Sequence, residues 1–406
     1  MTAIFAGLKV LDLTRVIAGP LCTQYFADLG ATVYKIEKPG EGDDTRRMGP
    51  FLTDAETGAD SNDSALYLAY NRGKRSVTVD ISTPEGADIV RALASKCDVV
   101  VENYKVGSLR KYGLDYESLS AGRNDLIYCS VTGFGQTGPM AARPAYDFIL
   151  QGMAGTMSTC GQPDGSPGAE PMRTAIPITD VVTGLNATIA IASALFHRQQ
   201  TGQGQYIDCA MLDSAVALNG HLALGYLMTG KSPTRVGNTN PIASPSEVFA
   251  CADGHLILAA GNNGQFQAFC TVLGVPALAQ DDRFKTNAMR VNNRQALREA
   301  IGPLMREWKQ SDLLSALESA GVPSGPINNM EQVFAEPQTQ QREMALTLRH
   351  GRGVDVPCVR SPLRFSATPV QHVTPPCLGE HTQETLRDIL GVNDTVYQRL
   401  QDQGIV

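Results

Sequence analysis

An alternation in the first half of the chain constrains the fold most. Short apolar runs are separated by stretches with helical spacing. Leu8 to Leu13 reads as a strand, and Pro20 to Leu29 as a helix closed by Gly30. Thr32 to Glu37 reads as a second strand, stopped by Pro39 and Gly40. Ser76 to Ile81 is a third, and Pro84 opens a helix in its first turn, where the missing N–H costs nothing. Asp98 to Val101 and Leu126 to Thr132 are further short apolar runs. Strands alternating with helices predict an α/β fold with a mostly parallel sheet covered by helices.

Later the pattern changes. Asp180 to His197 is a long helical stretch with few charges, expected to be buried, and Asp213 to Met228 is another. Glu247 to Ala260 reads as a hairpin turning at Asp253-Gly254. Phe284 to Leu317 is helix-rich and charged. Pro357, Pro362, Pro375 and Pro376 predict an extended segment laid over something else. A chain of 406 residues exceeds one ordinary core, so two domains are expected.

The net charge of −7 argues against a nucleic-acid surface, while a local basic patch for a small phosphorylated ligand is still allowed. The nine cysteines are scattered without C-x-x-C or Cys/His clusters, which predicts reduced thiols in a cytosol and no metal site. The opening residues lack a basic region followed by an apolar run, and no membrane span is expected. A cytoplasmic protein follows. None of the six histidines precedes His197, and neither H-E-x-x-H nor a G-x-S-x-G elbow occurs. The chemistry must then rest on carboxylates, or on residues that spacing does not reveal.

Four features carry chemical potential, each beside a plainer reading. Gly133-Phe-Gly-Gln-Thr-Gly138 matches a dinucleotide fingerprint, but Pro139 and Pro144 disfavour the helix start that a pyrophosphate needs. Gly261-Asn-Asn-Gly264 can expose backbone N–H groups to an oxyanion, or can simply be a turn between strand and helix. Lys35, Lys38, Arg46, Arg47, Arg72, Lys74 and Arg75 lie at or after the ends of early strands, where open parallel sheets bind ligands; singly, each reads as a solvated charge. Asp180 begins the long apolar helix, where an aspartate is most often an N-cap. The same position stabilises negative charge, which keeps a carboxylate ionised and able to attack.

The chain also resembles the class III CoA-transferases over essentially its whole length. The resemblance is carried by Val10-Leu-Asp-Leu-Thr-Arg-Val-Ile-Ala-Gly-Pro20, Asp28-Leu-Gly-Ala-Thr-Val-Tyr-Lys-Ile-Glu-Lys-Pro-Gly40, Gly42-Asp-Asp-Thr-Arg46 and Asn71-Arg-Gly-Lys-Arg-Ser76. Val101-Glu-Asn-Tyr104, Thr132-Gly-Phe-Gly-Gln-Thr-Gly-Pro139, Thr201-Gly-Gln-Gly-Gln205 and Leu378-Gly-Glu-His-Thr382 extend it. It implies a Rossmann-like large domain built from both chain ends (1–225 and 326–406), a smaller α+β domain (226–325), and a homodimer of interlocked rings.

The resemblance also implies a site. The family's nucleophile falls on Asp180, and its glycine-rich loop over the active site on Gly261 to Gly264, interrupted here by Asn262 and Asn263. Contacts to CoA would come from Val16, Lys38, Lys74, Asn103, Tyr104 and Lys111; at Lys38 and Lys111 relatives often carry arginine. Acyl-CoA is then a substrate, and no cofactor is permanently bound. Gly321-Val-Pro-Ser-Gly-Pro-Ile-Asn-Asn-Met330, Val333-Phe-Ala-Glu-Pro337 and Ala260-Gly-Asn-Asn-Gly-Gln-Phe266 look like the glutarate branch. That branch and its neighbours pair succinyl-CoA with glutarate, itaconate, mesaconate, citramalate or malate. A dicarboxylate needs a cation for the carboxylate that does not react, and Arg15, Arg46, Arg47 and Arg173 are the candidates.

Three alternatives stand beside this reading. One is a transferase for another acid, of oxalate/formyl or carnitine type. Another is an α-methylacyl-CoA racemase, which uses a His-Asp pair some thirty residues before its aspartate; here Tyr146-Asp147 stands there, and a tyrosine of pKa about 10 is a poor base. The third, a CoA-binding protein without catalysis, sits badly with the presence of both the aspartate and the glycine loop.

Overall fold

The computed structural model describes residues 2–53, 60–351 and 353–406. The chain forms two compact units. The larger comprises Met1–Thr156, Arg173–Gly230 and Gln340–Val406; the smaller comprises Met157–Met172 and Lys231–Thr339. These limits differ from the expected 225/226 and 325/326 for local reasons. Helix Gly220–Thr229 runs on to the larger unit's edge. Strand Ser324–Pro326 pairs with His255–Ala259 and so stays in the smaller unit. Residues 157–172 join the smaller unit because Gly237 N–H donates to the Gly161 carbonyl at 3.1 Å and Arg235 Nε to that of Gln162 at 3.2 Å.

The larger unit is built on six parallel strands: β1 (Lys9–Asp12), β2 (Thr32–Glu37), β3 (Arg75–Thr78), β4 (Val99–Glu102), β5 (Ile127–Thr132) and β6 (Tyr206–Ala210). Their order is β3-β2-β1-β4-β5-β6. The chain therefore winds one way from β1 to β3, then returns to the far side of β1. Such an order opens a crevice between β1 and β4 beyond their carboxyl ends. β4 and β5 are buried at every position, as parallel strands covered on both faces should be. β6, which follows the Gly-Gln-Gly run, is missing from the sequence reading.

One face of the sheet packs Val10, Val33, Val99 and Ile127 against Cys22 and Phe26 of α1 (Ala18–Asp28) and against Ala187, Ile191 and Ala194 of the long helix. The other packs Leu11, Ile36, Val100 and Tyr128 under Ile89, Val90 and Leu93 of α2 (Pro84–Ala94). Leu386, Leu400 and Ile405 from the end of the chain complete that face. The extended return is held down at backbone atoms. Arg72 Nη1 donates to the Val359 carbonyl at 2.9 Å, and Arg46 Nη2 to that of Pro376 at 3.2 Å.

The long helix corrects two expectations. It runs from Ile178 to Thr201 behind Pro177, so Asp180 is its third residue and not its N-cap. It is not buried throughout. Ala187, Ile191 and Ala194 are covered, whereas Ile189 and Phe196 are each 63% exposed. Gly184 meets α1 so closely that a Cβ would sit 2.7 Å from the Ala18 carbonyl oxygen. By length and composition this helix could also cross a membrane. The stretch expected as one helix over Asp213 to Met228 is two, Met211–Leu218 and Gly220–Thr229, which meet at Asn219.

The smaller unit has an antiparallel sheet of Ser246–Ala250, His255–Ala259 and Ser324–Pro326, with the turn at Asp253-Gly254. Phe249, Leu256, Leu258, Phe266, Phe269, Leu297, Ile301 and Leu313 form its core with the surrounding helices.

Candidate active site

The turn after β1 carries an unusual backbone. Val16 has φ +73°, a left-handed conformation that costs a β-branched residue about 1–2 kcal/mol. Neighbours hold it there. Both carboxylate oxygens of Asp43 lie 3.3 Å from Val16 N–H. The Asn103 side chain, just beyond β4, accepts from Arg15 N–H at 3.0 Å and donates to the Arg15 carbonyl at 2.7 Å. That carboxamide staples the two turns that flank the crevice.

Beneath this turn lies a layer of buried charge. Lys35 Nζ donates to Asp43 at 2.8 Å and to the Thr14 carbonyl at 3.0 Å. Lys74 Nζ donates to Asp12 at 3.0 Å, to Asn71 at 2.9 Å and to the Pro20 carbonyl at 2.9 Å. Arg46 grips Glu37 with two bonds, at 2.8 and 2.9 Å, and its guanidinium lies 3.6 Å from the centre of the Tyr67 ring. Burial alone would raise the Asp43 carboxyl. Lys35 and the Thr45 donors outweigh burial and hold the carboxyl down to about 2. Burial pulls Lys74 down to about 8 against the attraction of Asp12.

Two clefts open above this layer. One, of 230 Å³, is lined by Arg15, Val16, Asn103, Tyr104, Arg143, Asp147 and Asp180 among others. The next, of 500 Å³, is lined by Lys38, Lys105 and Lys111, and shares Arg15, Asp44, Tyr104 and Lys105 with the first. The sequence candidates Val16, Asn103, Tyr104, Asp180 and Arg15 thus line one cleft, with Lys38 and Lys111 in its neighbour. Others stand elsewhere. The side chains of Lys74 and Arg46 lie below, fully engaged, so neither ammonium nor guanidinium is offered to a ligand. Arg47 faces Asp44 at 3.4 Å and Glu41 at 3.8 Å. Arg173 lies 5.2 Å over the Phe148 ring. Neither of these two lines a cleft beside Asp180.

Asp180 owes its position to Asp147. One oxygen of Asp147 accepts from Thr179 N–H at 2.7 Å and Asp180 N–H at 3.2 Å, which caps the long helix. The other accepts from Gln151 Nε2 at 2.6 Å. Among the described residues no donor reaches the Asp180 carboxylate. Burial, with the charge of Asp147 next, pushes its pKa up to about 7. This corrects the idea that the helix end keeps it fully ionised. The carboxyl is more basic and therefore more nucleophilic than an exposed one. Where Asp180 is the attacking group, only its ionised form reacts, and kcat/KM is then expected to climb as pH rises through about 7 and level off above it. Rates measured between pH 5.5 and 8.5 test this, and a flat profile would contradict it.

In the smaller unit, Gly261 to Gly264 forms a firm strand-to-helix turn. Asn262 caps helix Asn263–Val272 by accepting from Gln265 N–H at 2.7 Å. Buried Arg290 donates to the Gly261 carbonyl at 2.7 Å and to the Asn263 side chain at 3.1 Å. The two asparagines therefore anchor the turn. Sequence reasoning passed over Arg290, Asp43 and Arg143, and weighed Asp147 only as half of a racemase pair. Asp147 stands one turn before Gln151 on helix Asp147–Met153, but nothing local tied it to Asp180.

The chain is similar to known proteins over nearly its whole length. A succinate–glutarate CoA-transferase of Agrobacterium fabrum is 45% identical over 96% of this chain and 96% of its own length. A succinyl-CoA:glutarate CoA-transferase of Homo sapiens is 39% identical over 98% of this chain and 89% of its own. The crystal structure of a CAIB/BAIF family protein from Brucella suis superposes with a TM-score of 0.86 at 45% identity, covering 96% of this chain and 100% of that one. The family description CoA-transferase family III matches residues 5–382, so the chain belongs to that family and is a CoA-transferase.

Proposed function

We propose that this enzyme moves CoA from succinyl-CoA to a small dicarboxylate of the glutarate type, with Asp180 as covalent nucleophile. The observation that carries the proposal is Asp180 itself: a carboxylate with no donor among the described residues and with a raised pKa, at a cleft beyond the switch point of a parallel sheet. The glutarate transferases among the relatives support the choice of substrates.

An Asp180 oxygen attacks the thioester carbonyl carbon of the donor. The C–S bond breaks, CoA leaves as thiolate, and a mixed anhydride remains. The thiolate then attacks the side-chain carbonyl carbon of Asp180 and expels succinate, leaving an aspartyl-CoA thioester. The acceptor carboxylate attacks that carbon and releases the thiolate again. Attack of the thiolate on the acceptor's acyl carbon forms the new thioester and restores Asp180. No step gains or loses a proton, and the thioester free energy passes through covalent bonds throughout. Water must stay out, since it would hydrolyse each intermediate.

In this reading Val16, Asn103 and Tyr104 hold the thiol arm of CoA, while Lys38 and Lys111 meet its phosphates. Lys74 supports the turn from below. The physiological assembly is a homodimer, interlocked as the resemblance implies. Leu227 and Met228, each 77% exposed beside Leu224, would need such a partner to cover them, which light scattering can detect.

The substrate test compares succinyl-CoA with formyl-CoA as donor, and glutarate, itaconate and mesaconate with butyrate and carnitine as acceptors. Succinyl-CoA and a C4 to C6 dicarboxylate should be preferred. Preference for carnitine or a monocarboxylate would refute the dicarboxylate assignment, even if Asp180 proved essential.

A further inference from the structure

We infer that Arg143 holds the acceptor carboxylate that does not react, and so selects dicarboxylates. This rests on the substrate reading above and names the residue behind it. Of the arginines expected for this task, Arg46 is buried and bound to Glu37, while Arg47 and Arg173 line neither cleft. Arg15 lines both clefts, pairs with Asp44 at 3.2 Å and leans over Tyr104 at 5.3 Å, which places it at their junction. Lys105 lines both as well. Arg143 lines the cleft of Asp180 and not the neighbouring one.

Arg143 is also poised for an anion. Among the described residues no carboxylate pairs with it. Its guanidinium carbon lies 5.7 Å from the centre of the Phe134 ring, which leaves the N–H edges available. Its own backbone N–H donates to the Met140 carbonyl at 2.9 Å, a turn bracketed by Pro139 and Pro144, whose fixed φ angles stiffen it. The Asp147 carboxylate, which lines the same cleft, accepts from the helix N–H groups and Gln151 and makes no ion pair with Arg143. A second carboxylate entering this cleft sheds water, and a guanidinium fork is the side chain best suited to offset that loss with two charge-assisted bonds.

The experiment compares wild type with Arg143→Met and Arg143→Lys in the intact enzyme, using acetyl-CoA as donor and glutarate or butyrate as acceptor. In Arg143→Met, kcat/KM with glutarate should fall by about 100-fold more than with butyrate. Most of this should lie in the KM for glutarate, and Arg143→Lys should recover part of it. Equal losses with both acceptors, or a raised KM for acetyl-CoA that accounts for the loss, would overturn the inference and assign Arg143 to CoA instead. No loss with either acceptor would also overturn it. If wild type itself favours butyrate over glutarate, the substrate reading fails, an outcome distinct from a wild-type dicarboxylate preference that Arg143→Met leaves intact.

Discussion

Asp180→Ala is expected to lose transfer by about 10⁴-fold or more while still binding CoA, because the proposed covalent route needs its carboxylate and the other carboxylates among the described residues that line its cleft are engaged, Asp44 by Arg15 and Arg47. The other, Asp147, has both oxygens engaged by the long helix and Gln151. Calorimetric binding of CoA and steady-state turnover are the two readings. Hydroxylamine added with succinyl-CoA should trap an aspartyl adduct in wild type and none in the variant. Near-normal turnover in Asp180→Ala would sink the mechanism. Asp180→Asn adds an independent check through stability. The folded carboxyl ionises near 7, whereas an unfolded one ionises near 4. The stability tied to its protonation is complete below about pH 4 and lost as pH rises through about 7. Asp180→Asn escapes that loss, so it should melt above wild type at pH 8, by a margin that shrinks towards pH 5.

The other large effect is structural. Arg46→Met should destabilise the protein by about 3–5 kcal/mol, since it leaves Glu37 buried without the guanidinium that grips it. The loss includes the stacking on Tyr67 and the bond to the Pro376 carbonyl that ties down the C-terminal return. Urea midpoints measure the first effect. Residual activity should fall alike with dicarboxylate and monocarboxylate acceptors. A stable Arg46→Met variant with a loss confined to dicarboxylates would return Arg46 to the substrate site.

These two residues mark the border between what could be read from the chain and what could not. β2 matches its expected span, Thr32 to Glu37, residue for residue. Its apolar content and the Gly30, Pro39 and Gly40 punctuation are local signals. The hairpin at Asp253-Gly254 and the start of α2 at Pro84 follow from equally local chemistry. The break at Asn219 does not, because the stretch is apolar on both sides of it. There Asn219 Nδ2 turns aside to donate to the Ala154 carbonyl at 2.8 Å, a partner far back in the chain.

The site divides the same way. The sequence by itself determined that the chain is α/β, that its early strands end in basic turns, and that Asp180 opens a long apolar helix. These follow from periodicity, turn residues and motif spacing, which act over a few neighbours. Only the tertiary structure decided which of those cations line an open cleft. Lys74 meets Asp12 across 62 positions, and Arg72 meets Asp28 across 44. A lysine destined for burial and one destined for an open cleft look alike until their partners are in place. Asp180 likewise carries no mark of its raised pKa, because that comes from the surrounding burial and from Asp147, 33 positions away. Charge type is a property of the residue, whereas its availability and basicity belong to the groups that folding brings around it.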